Sequence, residues 1–121
     1  TDAIYQPNGK VHPRAYGSAG RWLGKFVRDT KLFSLEEAIR KMTSLGADTF
    51  GLEGRGRLVE DAYADLIVFD EHTINDHAEF GDPIHHCSGI EHVLINGKSV
   101  VKSGVPLDFD NPDLQVPGQR L

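Results

Sequence analysis

The densest run of chemistry-bearing side chains is His85-His86-Cys87, with His77 and His92 nearby. Imidazoles and a thiolate can ligate zinc. Adjacent residues rarely aim at one ion, however, and no partner pair at C-x2-C or H-x3-H spacing follows. The stretch reads as a solvated loop carrying one small thiol. Two further residues stand in an unpatterned N-terminal segment: Asp2, and Arg14 in the tripeptide His12-Pro13-Arg14. Taken by residue type alone, Asp2 is a solvated carboxylate and Arg14 a surface guanidinium. Pro13 pushes His12 into an extended conformation.

The elements that would position these residues follow from periodicity. Trp22, Leu23, Phe26 and Val27 form one apolar stripe and predict a helix over residues 18–30, with Ser18 as its N-cap. The stripe reads as packing, not as a ligand box. Ser34 and Glu37 have the spacing of a capping box and open a second helix. Leu35, Ala38, Ile39 and Met42 mark its buried face, Gly46 ends it, and residues 47–50 add a short turn. From Arg57 onward the pattern shortens to strands: Leu58-Val59, Leu66 to Phe69, His92 to Ile95 and Lys98 to Lys102. Asp65 and Asp70 bound the run Leu66-Ile67-Val68-Phe69, which predicts a strand buried on both faces. Glu60-Asp61-Ala62 is short enough for a hairpin connection, and Asn96-Gly97 has the φ tolerance of a type I′ turn. Residues 72–88 form a long polar excursion with a turn at Asp82-Pro83. Beyond Gly104 no element is expected. Helices first and strands afterwards make the chain α+β and suggest two packing environments. The composition shifts near residues 51–56, which places the boundary there.

The totals narrow the function classes. The chain has 121 residues, one domain's length at most. A net charge of −5, with no long basic run, argues against nucleic acid or an anionic membrane as partner. No apolar stretch approaches the ~20 residues of a membrane span. The single cysteine, Cys87, cannot form an internal disulfide, so a cytoplasmic setting is expected. A hydrophobic content of 39% is low for a self-sufficient globule.

The order G-R-L, then A-D-L-I-V-F-D (Ala64 to Asp70), then G-I-E-H-V-L-I-N-G-K-S-V-V-K-S-G (Gly89 to Gly104) resembles the C-terminal end of the metal-dependent amidohydrolases. Upstream, T-D-A-I-Y, then H-P-R and the two helices, resembles the last part of the N-acyl-D-amino-acid deacylases. The resemblance runs from Thr1 to about Gly104. Two positions depart from the pattern: Asp61, where the family usually has Gly, and Gly46, where it often has Pro. Asp tolerates the left-handed region better than most residues, so the first departure need not change the fold.

The resemblance implies that residues 1–55 are the end of a (β/α)8 barrel and residues 56–121 the last strands of a small β-sandwich with its tail. It implies that Asp2 binds or faces a catalytic metal, takes the proton from metal-bound water and passes it to the leaving amine. It implies that Arg14 holds the substrate α-carboxylate; a guanidinium fork suits a carboxylate because it donates two parallel hydrogen bonds. The family's zinc ligands come from earlier strands, and no such motif occurs here. The expectation is therefore a C-terminal piece that is inactive and binds no zinc alone, and whose partner is the missing barrel portion. The parent would cleave N-acyl-D-amino acids to a D-amino acid and a carboxylate. Other amidohydrolases, dihydroorotase- or dipeptidase-like, remain alternatives, as does a non-catalytic stand-alone module.

Overall fold

The computed structural model describes residues 11–108 together with 111, 115, 117 and 118. Asp2 lies outside the described residues. The described chain is α+β: helices first, then a four-stranded antiparallel sheet. Helix α1 spans Arg14–Arg21 and runs directly into a π-helical segment, Trp22–Asp29. Helices α2 (Leu35–Met42) and α3 (Ser44–Phe50) follow. Strands β1 (Leu66–Phe69), β2 (Ile90–Ile95), β3 (Lys98–Lys102) and β4 (Val105–Pro106) pair in that order. Two compact units interleave along the sequence: residues 11–38 with 70–89, and residues 39–69 with the described residues from 90 onward. The division passes through α2.

In the first unit the helix begins before Ser18. Pro13 takes the N-cap position with helical dihedrals, where its missing N–H costs nothing and its fixed φ is preset for a helix. His12 caps the end through its side chain: Nδ1 accepts the Arg14 N–H at 3.0 Å. Ser18 is instead one turn inside, its hydroxyl donating to the Arg14 carbonyl at 2.7 Å. The π-helical segment widens the last turns, with the Thr30 N–H donating to the Lys25 carbonyl at 2.9 Å. Trp22 meets Phe26 edge-on at 5.9 Å and stacks on Phe33 at 5.0 Å, so the aromatic stripe packs on itself. Ser34 caps α2 as expected, accepting the Glu37 N–H at 3.2 Å. The Glu36 carboxyl is held below its usual range by its own backbone N–H and then by the Ser34 hydroxyl.

Residues 70–89 lie along this helix. Asp70 starts them with a side-chain turn, accepting the His72 N–H at 2.8 Å and the Thr73 hydroxyl at 3.1 Å. Those two bonds, the backbone one first, hold its carboxyl below the usual range. Three glycines one helical face apart make the contact possible. A Cβ on Gly17 would overlap the Asp76 carboxylate; one on Gly20 would lie 2.5 Å from Cys87 Sγ, and one on Gly24 2.7 Å from the Ile74 carbonyl oxygen. Arg28 ties the same segment down, donating to the Ile74 carbonyl at 2.5 Å and to the His72 carbonyl at 3.3 Å. Ile74 and Ala78 are buried there, 2% and 1% exposed.

In the second unit α2 stops at Thr43, and α3 runs through Gly46, so Gly46 does not end a helix. Gly51 does, in the left-handed conformation at φ 64°. Leu58 and Val59 form no strand and are largely exposed. The connection after them turns through Asp61 at φ 64°, the left-handed setting its side chain tolerates. Strand β1 pairs with β2 but is not buried on both faces: Ile67 and Val68 are 61% and 50% exposed. These neighbours point to opposite faces, so each face of β1 has an open position, and β1 is an edge of the sheet.

Asn96-Gly97 makes the hairpin turn between β2 and β3, at φ 49° and 77°, the two positive values of a type I′ turn. Ser103-Gly104 repeats the device at φ 50° and 75° and adds β4, which the sequence reading left as tail. Asp65 braces the first turn. Its Oδ1 accepts the Asn96 N–H at 2.8 Å, and its other oxygen pairs with Arg55. The Arg55 guanidinium also lies over the Tyr63 ring at 4.2 Å.

Two glycines should respond to alanine with opposite signs. Gly46 is helical with open space where a Cβ would go, so Gly46→Ala should stabilise by about 0.5–1 kcal/mol. Gly97 sits at φ 77°, so Gly97→Ala should destabilise by about 1 kcal/mol or more. Urea unfolding of both variants checks this; equal signs would contradict the assigned backbone.

Candidate functional site

The start of α1 and residues 76–81 enclose a cleft of about 470 Å³ in the first unit. His12, Pro13, Arg14, Ser18 and Arg21 line one wall; Asp76, Ala78, Glu79, Phe80 and Gly81 line the other. Arg14 lines this cleft and is itself solvent-exposed.

The charges of the cleft are unequal in kind. Arg21 Nε donates to Asp76 Oδ2 at 2.7 Å, and the Asp76 side chain is 5% exposed. Asp76 Oδ1 accepts the Ala78 N–H at 2.8 Å, and Arg21 Nη2 reaches the Ala78 carbonyl at 3.4 Å. Arg21 is thus committed to the loop. The Arg14 guanidinium has no carboxylate partner among the described residues. An unpaired guanidinium in a cleft can take an external carboxylate as a forked, charge-assisted pair. Phe80 supplies an apolar edge, 82% exposed, and meets the His12 ring at 4.9 Å in a T-shaped contact. Because His12 accepts at Nδ1, a neutral imidazole carries its proton on Nε2.

The histidine and cysteine stretch resolves into separate local contacts. His85 Nε2 pairs with Asp82 at 2.8 Å, His77 Nε2 with the Ser88 hydroxyl at 2.9 Å, and Cys87 points its thiol at the Tyr16 carbonyl, 3.9 Å away. Among the described residues no three His, Cys, Asp or Glu side chains converge as a metal site would require. The described part of the chain does not fit a divalent metal by itself. Sequence reading missed Arg21, Asp76 and Phe80. Asp76 and Phe80 lie in a polar excursion without a motif. The signal that was available is the spacing of Gly17, Gly20 and Gly24, which marks a helix face approached by another segment.

Residues 8–101 match the model of the amidohydrolase family. The chain belongs to that family. It is 48% identical over 95 residues to an N-acyl-D-glutamate deacylase of Alcaligenes xylosoxydans xylosoxydans, covering 78% of this chain and 20% of that protein. A solved D-aminoacylase structure superposes with a TM-score of 0.78 at 42% identity, over 82% of this chain and 21% of that one. The N-acyl-D-glutamate deacylase of Bordetella bronchiseptica, solved with zinc and a phosphonate mimic of the tetrahedral intermediate, gives 0.74 at 42% identity, over 80% and 21%. This amidohydrolase chain spans about a fifth of the length of the relatives it matches. Among the described residues no helix is long and apolar enough to cross a membrane.

Burial pushes the Cys87 thiol up, and the Asp76 carboxylate adds to that, against a backbone hydrogen bond from Gly20 that pulls it down. A raised pKa means less thiolate at neutral pH. Alkylation of Cys87 by iodoacetamide in the folded chain should therefore rise at higher pH than in urea-unfolded chain. Coincident pH profiles would show that the thiol is not packed against Gly20.

Proposed function

We propose that this chain is the C-terminal part of a metal-dependent hydrolase that cleaves the amide bond of N-acyl-D-amino acids. Residues 1–55 would close its (β/α)8 barrel, and residues 56–121 would add strands and a tail to its β-sandwich. The observation that carries the reading is Arg14. It is a guanidinium lining a cleft, with no carboxylate partner among the described residues, in a chain whose relatives are named for N-acylated D-amino acids. Those substrates bear a free carboxylate beside the amide that breaks.

In this reading Arg14 binds that carboxylate and fixes the orientation of the amide. Asp2 holds and moves the proton that the leaving amine needs. The zinc named for the Bordetella relative would be held in the parent by residues outside the described ones. The side chain and acyl group accepted are set elsewhere in the parent; Arg21 is paired with Asp76. Absence of a membrane-crossing helix among the described residues and a single cysteine fit a cytoplasmic setting.

In the full-length enzyme, Asp2→Asn and Arg14→Ala should fail differently. Asn keeps the shape of Asp2 but cannot accept a proton, so kcat should fall about 10²- to 10⁴-fold. Arg14→Ala removes a contact made in ground and transition states alike, so KM should rise with little change in kcat. A charged partner left unpaired costs on the order of 2–5 kcal/mol, which puts the loss in kcat/KM at about 30-fold or more. An N-acyl amine lacking the carboxylate should be indifferent to Arg14→Ala yet still need Asp2. If both substrates suffered equally from Arg14→Ala, Arg14 would be structural. The 121-residue chain alone, given excess zinc and N-acetyl-D-methionine, should show no turnover; metal-dependent turnover would overturn the division of labour proposed here.

A further inference from the structure

We propose that Asp76 is a positioning residue for Arg14, acting with Arg21 as a clamp that holds the second wall of the cleft against α1. The inference rests on the proposed role of Arg14 and extends it to residues that touch no substrate.

Four contacts link the clamp to Arg14. Asp76 Oδ2 accepts from Arg21 at 2.7 Å, and its Oδ1 accepts the Ala78 N–H at 2.8 Å. The carboxylate thus fixes both the helix side and the turn of the loop. Two residues beyond Ala78, Phe80 meets the His12 ring at 4.9 Å. His12 in turn accepts the Arg14 N–H through Nδ1 at 3.0 Å. The first helical residue after Pro13 is Arg14 itself. Its backbone setting is therefore held through the loop as well as through the helix.

Burial of the carboxylate separates this pair from an ordinary surface ion pair, although the Arg21 side chain is 48% exposed. Exposed pairs contribute little because solvent screens them and their side chains are free to leave. The Asp76 side chain is 5% exposed, seated where Gly17 presents no Cβ. A buried carboxylate that loses its partner is costly, so the loop has one favourable seat. Phe80 has no such anchor of its own: it is 82% exposed and its ring contact is His12. Release of Asp76 would free Phe80, and with it the restraint on His12.

The test uses the full-length protein with Asp76→Asn, Arg21→Met, the double variant, and Gly17→Ala. Gly17→Ala keeps both charges but takes the seat. Amide exchange at Arg14 is read by mass spectrometry or NMR, and kinetics are measured on an N-acyl-D-amino acid and on the carboxylate-free amide. Each variant should speed exchange at Arg14. Each should raise KM for the carboxylate substrate by about tenfold, the equivalent of one charge-assisted hydrogen bond, with kcat and the carboxylate-free substrate little changed. The double variant should be no worse than either single one, since one interaction is removed in all three. Arg21→Lys, which keeps the charge, should restore part of the KM. Unchanged exchange at Arg14 would overturn the clamp, as would equal losses on both substrates, which mark a residue needed only for folding. A wild-type protein that hydrolyses neither substrate would sink the proposed reaction instead, and the exchange measurement would still decide whether Asp76 fixes Arg14.

Discussion

Close approach of residues 70–89 to a helix face without side chains is the constraint on which the first unit depends. Gly17, Gly20 and Gly24 leave room for a carboxylate, a thiol and a carbonyl respectively. A side chain at Gly24 would strike the Ile74 backbone, and one at Gly17 or Gly20 would displace the Asp76 or Cys87 side chain. Once the segment is down, its backbone needs partners, since a carbonyl removed from water without a hydrogen bond is costly. Arg28 supplies them for His72 and Ile74, and Arg21 for Ala78. Glycine also carries a cost: it weakens a helix by about 1 kcal/mol per residue relative to alanine. The helix tolerates that because the segment it admits brings Ile74 and Ala78 under cover and provides the ties that replace lost propensity.

The same closeness decides which arginine lacks a carboxylate partner among the described residues. Arg14, Arg21 and Arg28 lie at one-turn multiples on the same stretch of chain, yet their roles differ. Arg21 and Arg28 each meet an acceptor on residues 70–89, because they follow the glycines down the helix. Arg14 precedes Gly17 and stands at the mouth of the cleft, across from the turn through residues 79–82. A guanidinium without a carboxylate is expensive to bury and cheap to leave in a wet cleft. That position suits an arginine whose carboxylate arrives with a ligand.

What the sequence disclosed depended on whether the signal was local. Asn96-Gly97 and the Ser34 cap are short-range devices and appear as read, and the bounded run Leu66 to Phe69 is a strand as read, though without the expected burial on both faces. Errors came where a nonlocal partner decides. Ser18 looked like a helix start because the proline rule was applied to His12 and not to the helix that Pro13 itself can open. Gly46 looked like a stop, but helix ends follow the residue that can turn left-handed in context, here Gly51. Leu58-Val59 has strand composition without a strand to pair with. Of the site, Arg14 was named from the motif His12-Pro13-Arg14, whereas Asp76 sits 55 residues from Arg21 and no pattern along the chain connects them.

The sheet presents the converse problem. A run of Leu, Ile, Val and Phe reads as a strand covered on two faces, and such runs belong to sheets packed between layers. Here β1 is an edge strand with Ile67 and Val68 open, and Phe50 and Leu58 are 79% and 85% exposed elsewhere in that unit. Exposed apolar edges are a liability that proteins cover or charge. Asp65 and Asp70 flank β1 and supply charge at both ends, but neither hides its faces. Burying apolar area contributes about 25 cal/mol per Å², so these positions carry unused stabilising capacity in the chain as it stands. On the proposed reading that capacity has an owner: the remaining four-fifths of an enzyme of the relatives' length. The sequence pattern of β1 is then correct for the whole protein and misleading for the part, because a strand's composition records every surface that will cover it.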